Sequence, residues 1–356
     1  MASTALSHAP RIRVLVVDDS AFMRHSIVRL LSANPDFEVI GTAVDGIDGV
    51  KRALELRPDV ITMDIEMPRM DGVSAVREIM QSIPTPVVIL STMTQEGAET
   101  TIRALEAGAV ECVAKPSGLS HELHNVADEL STAVQRAHLS HLRRHHAVPT
   151  IPSIGSGKTT GTKRLASHLV LIGCSTGGPP ALTEVVPHLP GDLEAGVIVV
   201  QHMPAGFTGA LARRLNQISP LEVAEAVAGD HVLQGRVLVA PGNFHLEVDA
   251  DHTIRLNQGP TLHGVRPSVD IALRSVAPVY GKHLTVAILT GMGRDGAEGA
   301  ALAEQGGAAI VVQDEATCVV YGMPRVASEL TRTAKETPLE RIANAISQAV
   351  VQEVRR

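Results

Sequence analysis

Residues 11–20 read Arg-Ile-Arg-Val-Leu-Val-Val-Asp-Asp-Ser. An apolar, β-branched run, Arg13–Val17, stops on two carboxylates and a hydroxyl. The same kind of run returns at Glu38–Val44, Asp59–Asp64, Val87–Ser91 and Val110–Lys115. Between these runs lie stretches such as Val73–Gln81 and Glu99–Ala107, with apolar residues at helical spacing. Apolar strands alternating with such helices predict a parallel sheet covered on both faces. Five βα steps predict a compact, doubly wound, flavodoxin-like (βα)5 domain over residues 11–137.

In such sheets ligands bind beyond the carboxyl ends of the strands. Asp18 and Asp19 follow the first strand and Asp64 ends the third. With strand order 2-1-3-4-5 these strands are neighbours, so three carboxylates converge. Their mutual repulsion calls for a cation, and hard oxygen ligands with room for water favour Mg²⁺. Ser91 and Lys115 end the fourth and fifth strands and add a hydroxyl and a positive charge at the same rim. A carboxylate nucleophile, a metal, a cation and a hydroxyl together suit phosphoryl transfer. Any one Asp here could equally cap a helix or shape a turn. The five positions taken together point to chemistry.

The stretches VLVVDDS (14–20), TMDIEMPRMDG (62–72), VVILS (87–91) and AKP (114–116) resemble the receiver domain of two-component response regulators. The resemblance implies Asp64 as phospho-acceptor, with Asp18, Asp19, Asp64 and the Glu66 backbone carbonyl as Mg²⁺ ligands. It also implies Ser91 and Lys115 as readers of the phosphoryl group and a histidine kinase as phosphodonor. Receivers usually carry an aromatic switch residue three positions before the lysine, where this chain has Cys112. Signalling here then depends less on rotation of a buried ring.

Residues 138–164 are rich in Gly, Pro, Ser, Thr, Lys, Arg and His and read as a linker. Within it Gly157-Lys158-Thr159 suggests a phosphate loop, but the full pattern needs a glycine where Pro152 stands and a strand ahead of it. The linker histidines are explained by a solvated helix end as well as by a metal site.

Beyond the linker, residues 165–351 read as a second doubly wound α/β domain with a mainly parallel sheet. Its strands are Leu169–Gly173, Val197–Gln201, Arg236–Ala240, Leu284–Thr290 and Ala308–Gln313, with a β-hairpin excursion over Asn243–Leu256. Gly173, Ser175 and Gly177 fit the G-x-S-x-G turn that exposes a nucleophilic hydroxyl after a strand. His202 lies just past another apolar strand and Asp295 past a third. Parallel strands bring all three residues to one edge, where serine needs a base and the base an acid. The order Ser, His, Asp differs from the Ser, Asp, His of α/β-hydrolases. Cys174 is a decoy nucleophile that reads as a packed apolar residue. His283 sits before a strand, and His245 and His263 are expected to line a substrate groove. Thr176 either shapes the oxyanion site, hydrogen-bonds the triad, or caps the following helix.

IGCSTGGP (172–179), QHMP (201–204), PGNFHLEV (241–248), VRPSVDIALRSVA (265–277), LTGMGRDGA (289–297) and DEATCVVYGMP (314–324) resemble the chemotaxis protein-glutamate methylesterase family, CheB. The resemblance implies a Ser175, His202, Asp295 triad, an oxyanion donor from the Met292 backbone N–H, and no cofactor for the ester chemistry. It implies hydrolysis of glutamate γ-methyl esters, and deamidation of glutamines, on methyl-accepting chemotaxis receptors. It further implies that the unphosphorylated receiver blocks large substrates. Family members usually have Ala where Cys174 stands and Ser where Cys318 stands, and neither change threatens the triad.

The composition excludes other classes. The chain has 356 residues, too many for one ordinary core, and 44% hydrophobic with 19% charged residues excludes disorder. A net charge of −7, 2% aromatics and no Trp argue against nucleic-acid binding. No apolar run is long enough for membrane insertion, and residues 1–10 lack the features of a signal peptide. Three scattered cysteines fit buried positions in a reducing compartment, so a cytoplasmic protein is expected. Two non-enzyme readings stand beside the hydrolase. A receiver with a DNA-binding output would need a basic helix-turn-helix after the linker. A receiver-gated adaptor would carry the same second domain without catalysis.

Overall fold

The computed structural model describes residues 10–92, 94–115, 122–140 and 164–354. They form two units, each with its own sheet. In the first, the strands are β1 (Ile12–Val17), β2 (Phe37–Ala43), β3 (Val60–Asp64), β4 (Val87–Ser91) and β5 (Glu111–Ala114). They are parallel in the order β2-β1-β3-β4-β5. Helices α1 (Ala21–Ser32), α2 (Gly46–Leu56), α3 (Gly72–Ser82), α4 (Gln95–Glu106) and α5 (Glu122–His138) follow β1 to β5 in turn along the chain, and of these α4 groups with the second unit. All of β3 and β4 is buried, which explains their largely apolar sequences.

Short polar residues start the helices and so define the strand ends. Ser20 caps α1 by accepting from the Met23 N–H, and Asp45 and Asp71 do the same for α2 and α3. Gly72 opens α3 directly against the end of β3. A Cβ there would overlap the Asp64 carbonyl oxygen, so only glycine lets the loop close this tightly.

The second unit contains β6 (Leu169–Cys174), α6 (Gly178–Val185), β7 (Gly196–Gln201), α7 (Phe207–Ile218), β8 (Glu222–Glu225) and β9 (Arg236–Val239). The hairpin β10 (His245–Val248) with β11 (Ile254–Asn257) comes next, followed by α8 (Val269–Tyr280), β12 (Leu284–Ile288), α9 (Ala297–Gln305) and β13 (Ala309–Gln313). The described chain ends with α10 (Met323–Leu330), β14 (Lys335–Thr337) and α11 (Leu339–Val354). Seven parallel strands run in the order β14-β13-β12-β6-β7-β9-β8. The chain builds outward from β6 on one side, then returns to build from β12 on the other. The strand order therefore reverses between β6 and β12, where α/β sheets open a crevice. Buried residues of β6, β7 and β12 pack with α8, α9 and α10 into one core.

The excursion expected over Asn243–Leu256 is the antiparallel pair β10–β11, in register from His245↔Asn257 to Val248↔Ile254. Two edge strands escaped the sequence reading. β8 reads Glu-Val-Ala-Glu and β14 Lys-Glu-Thr, short and polar as exposed sheet edges commonly are. Most of the segment read as a linker, with its histidines and Gly157-Lys158-Thr159, lies outside the described residues. Among the described residues no helix is long and apolar enough to cross a membrane.

Candidate functional site

At the carboxyl edge of the first sheet, Asp18 and Asp64 are buried and Asp19 is exposed. Each offers an oxygen, and these oxygens lie within 4.8 Å of one another. The Lys115 Nζ sits 2.7 Å from Asp64 Oδ1 and 3.1 Å from Asp18 Oδ2. That Asp18 oxygen is buried without a well-aligned hydrogen bond. Lys115 N–H donates to the Ser91 carbonyl at 2.8 Å, which holds the ends of β4 and β5 side by side. Glu66 is exposed in the loop after β3, and its carbonyl accepts no hydrogen bond among the described residues.

The electrostatics follow from this crowding. Burial raises the Asp18 carboxyl; Lys115 opposes the shift and Asp64 adds to it, leaving the pKa above its ordinary value. Burial works against the Lys115 ammonium, but the hydrogen bond and charges of Asp64 and Asp18 outweigh it and hold its pKa up. An oxygen-only donor set with one underused buried carboxylate oxygen and an open carbonyl fits a hard divalent cation such as Mg²⁺. Cys112 lies buried on β5, and burial pushes its thiol up.

The second constellation is built on three strand ends. Ser175 follows β6, His202 follows β7 and Asp295 follows β12 through a glycine-rich turn. Ser175 is 3% exposed and its N–H donates to the Thr290 carbonyl at 3.0 Å, tying the serine turn to the end of β12. Gly177 adopts φ 77°, which turns the chain sharply into α6.

His202 Nε2 donates to Asp295 Oδ2 at 2.7 Å. This fixes the tautomer and leaves Nδ1 as the acceptor nitrogen. Asp295 is buried and fully engaged. Oδ2 also accepts the Val269 N–H at 2.6 Å, while Oδ1 accepts the Ser268 hydroxyl at 2.7 Å and the Asp270 N–H at 3.1 Å. The N-terminus of α8 therefore points at this carboxylate. Burial alone would raise its pKa, but the His202 bond and charge, with Ser268 and Val269, outweigh burial and hold it below the usual carboxylate value. Asp270 moves the other way. Burial and the Asp295 charge prevail over donation from Gly299, and its pKa is raised.

Ser175 Oγ makes no hydrogen bond to His202, so the structure joins the base to the acid and leaves the nucleophile beside them. Such contacts are often long before substrate binds. A Cβ on Gly291 would come within 2.8 Å of Ser175 Cβ, which brings the turn carrying Met292 directly against the serine. Among the described residues the Met292 N–H has no acceptor. The turn is braced from the segment before α10. Gly291 N–H donates to the Val320 carbonyl at 3.0 Å, and Gly322 and Met323 N–H donate to the Gly291 carbonyl at 3.1 and 2.8 Å.

Three side readings are corrected or narrowed. Thr176 does not cap α6, because Gly177 occupies the cap position; Thr176 is buried and its carbonyl accepts the Thr290 hydroxyl at 2.9 Å. His245 does not line a groove. It is buried on β10 with Nε2 against the Pro260 carbonyl, because the hairpin packs inward on α8. His263 contacts Asp270 at 3.2 Å rather than the serine. Cys174 is fully buried and burial pushes its thiol up, which removes the thiolate a nucleophile needs. Sequence reasoning missed Ser268, Gln201 and the brace over Val320–Met323. The strings containing them were visible, but their contacts join segments far apart in the chain.

Comparison with known proteins identifies the two domains. The CheB methylesterase family matches residues 170–346, and the response regulator receiver domain matches residues 14–127. A protein-glutamate methylesterase/protein-glutamine glutaminase of Symbiobacterium thermophilum is 52% identical over 351 residues, 95% of this chain and 97% of the relative. A protein of the same description from Pyrococcus abyssi is 41% identical, covering 96% of this chain and 94% of its own. The solved CheB methylesterase catalytic domain of Thermotoga maritima is 39% identical with a TM-score of 0.49, covering 51% of this chain and 97% of that one. With both family matches in this order and relatives 52% and 41% identical along nearly its whole length, the chain belongs to the CheB methylesterase family and carries a response regulator receiver domain ahead of the esterase.

Proposed function

We propose that this chain is a phosphorylation-activated protein-glutamate methylesterase, which hydrolyses glutamate γ-methyl esters on methyl-accepting chemotaxis receptors and deamidates glutamines there. The observation that carries the reading is the His202–Asp295 pair, 2.7 Å apart, with side chains only 5% and 3% exposed, at the strand-order reversal beside Ser175. The Nδ1 of His202 takes the Ser175 proton as Oγ attacks the ester carbonyl. The Met292 N–H receives the developing oxyanion, and buried Thr176 shapes that site. His202 returns the proton to the leaving methoxide, methanol departs, and water hydrolyses the acyl-enzyme to restore the glutamate carboxyl. A glutamine substrate follows the same path with ammonia leaving. No cofactor enters this chemistry.

In the receiver, Asp64 is the phospho-acceptor, with Ser91 and Lys115 contacting the phosphoryl oxygens and a chemotaxis histidine kinase as donor. Asp18, Asp19, Asp64 and the Glu66 carbonyl would hold Mg²⁺, which when bound offsets the carboxylate and phosphoryl charges. Receiver, linker and esterase occupy residues 11–137, 138–164 and 165–351 of a cytoplasmic enzyme that neither binds nucleic acid nor inserts in membranes.

The test is methanol release from a methylated receptor fragment, with and without a small phosphodonor and Mg²⁺. Release should rise with the phosphodonor, lose that rise in Asp64→Asn or with chelator, and vanish in Ser175→Ala. A Ser175→Ala protein releasing methanol at the normal rate would sink the triad. An adaptor without catalysis would release none in any form.

A further inference from the structure

A buried amide stands between the two residues that carry the reaction. Gln201 is the last residue of β7, paired in register with Cys174 at the end of β6. Its side chain is 2% exposed. The amide nitrogen donates to the Ser175 carbonyl at 3.1 Å and to the His202 carbonyl at 2.9 Å. Both partners are carbonyl oxygens, which only accept, so the amide must present its NH₂ face to them. Both of its donors are then used. The amide oxygen pays for this arrangement: it is buried and has no hydrogen-bond partner. It points at Gly178, where a Cβ would overlap it.

An apolar side chain would suit the buried end of a parallel strand, and it would leave no orphaned acceptor. The chain instead keeps an amide whose two bonds end on the backbones of Ser175 and His202. A further bond, His202 N–H to the Cys174 carbonyl at 3.1 Å, ties the same strand ends. Ser175 and His202 make no side-chain hydrogen bond to each other, so these backbone ties set the spacing across which the proton moves.

We propose that Gln201 is a positioning residue for the hydrolysis. Its amide clamps the backbone of the nucleophile to that of the base, and Gly178 lacks a side chain because the amide occupies that space. The inference rests on the reading of Ser175 and His202 as nucleophile and base. A displacement of about 1 Å between reacting groups can cost on the order of 100-fold in rate.

The experiment uses the full chain, activated by a small phosphodonor, with methanol release from a methylated receptor fragment as readout. Gln201→Met keeps the volume and removes both donors. It should lower kcat by roughly tenfold to 100-fold, leave KM within about twofold, and leave the acid limb of the pH profile in place because the His202–Asp295 bond is intact. Gly178→Ala, which pushes on the amide oxygen, should lower kcat likewise. In a Gln201→Ser background, which removes the struck atom, Gly178→Ala should cost little more. Normal kcat in folded Gln201→Met overturns the proposal. If Gln201→Met does not fold, Gly178→Ala decides, and normal kcat there overturns it. Activity surviving in Ser175→Ala would instead overturn the triad on which the proposal rests.

Discussion

Asp295 shows how much a single carboxylate can be asked to do. It accepts from an imidazole, a hydroxyl and two backbone N–H groups, and these hold its pKa down despite burial. Asp295→Asn should keep the shape but present the wrong partner to His202, costing on the order of 10²–10⁴-fold in methanol release, less than Ser175→Ala. Because folding lowers this pKa, the ionised carboxylate stabilises the fold above the ordinary range near pH 4, and the contribution fades as pH falls through the depressed value. The gap in thermal midpoint between wild type and Asp295→Asn should therefore narrow as pH drops below about 4. A constant gap would mean that the carboxylate charge is not what the surrounding donors stabilise. The residues themselves were legible in the sequence, because apolar strands ending on Asp18, Asp64, Ser175 and His202 are an unusual run of punctuation. The imidazole nitrogen that faces Asp295 was not legible, because a ring orientation is set by contacts rather than by spacing.

Helix α8 works as a donor array as well as a packing element. Ser268 caps it, its Oγ accepting from the Ile271 N–H while its hydroxyl donates to Asp295. Ser268→Ala should lower stability by about 1 kcal/mol through loss of the cap. It should also lower methanol release, by less than Asp295→Asn does, since one of four donors to the carboxylate is lost. Calorimetric melting together with kinetics would check both effects. A stability loss with unchanged rate would confine Ser268 to the helix. The sequence contained VRPSVD but nothing to say that its serine meets an aspartate 27 positions later. Elements followed the same rule. β6, β7 and β12 were legible because parallel strands buried on both faces are mostly apolar, whereas β8 and β14 carry the polar residues that sheet edges need.

Across the whole molecule, Asp64 and Ser175 sit on separate sheets, so phosphorylation must act on the esterase through a second, physical equilibrium. If residues 138–164 act as a linker, they keep two domains at high effective concentration, and even a weak restraining contact can then hold an inactive state. Phosphorylation adds charge to a rim already crowded with carboxylates. A shift of about 1–3 kcal/mol is enough to change activity several-fold or more. If the unphosphorylated receiver acts by occlusion, removing Met1 through about Arg144 should raise basal methanol release from a methylated receptor fragment. A small methyl ester, which needs less room, should gain less from the same truncation. The truncated protein should also lose all response to the phosphodonor, because Asp64 is gone. Kinetics of full-length and truncated proteins on both substrates separate the alternatives. Equal gains on the large and small substrates would place the restraint on the catalytic groups themselves. Equal basal rates on the receptor fragment would rule out occlusion and require activation by contacts that only the phosphorylated receiver makes.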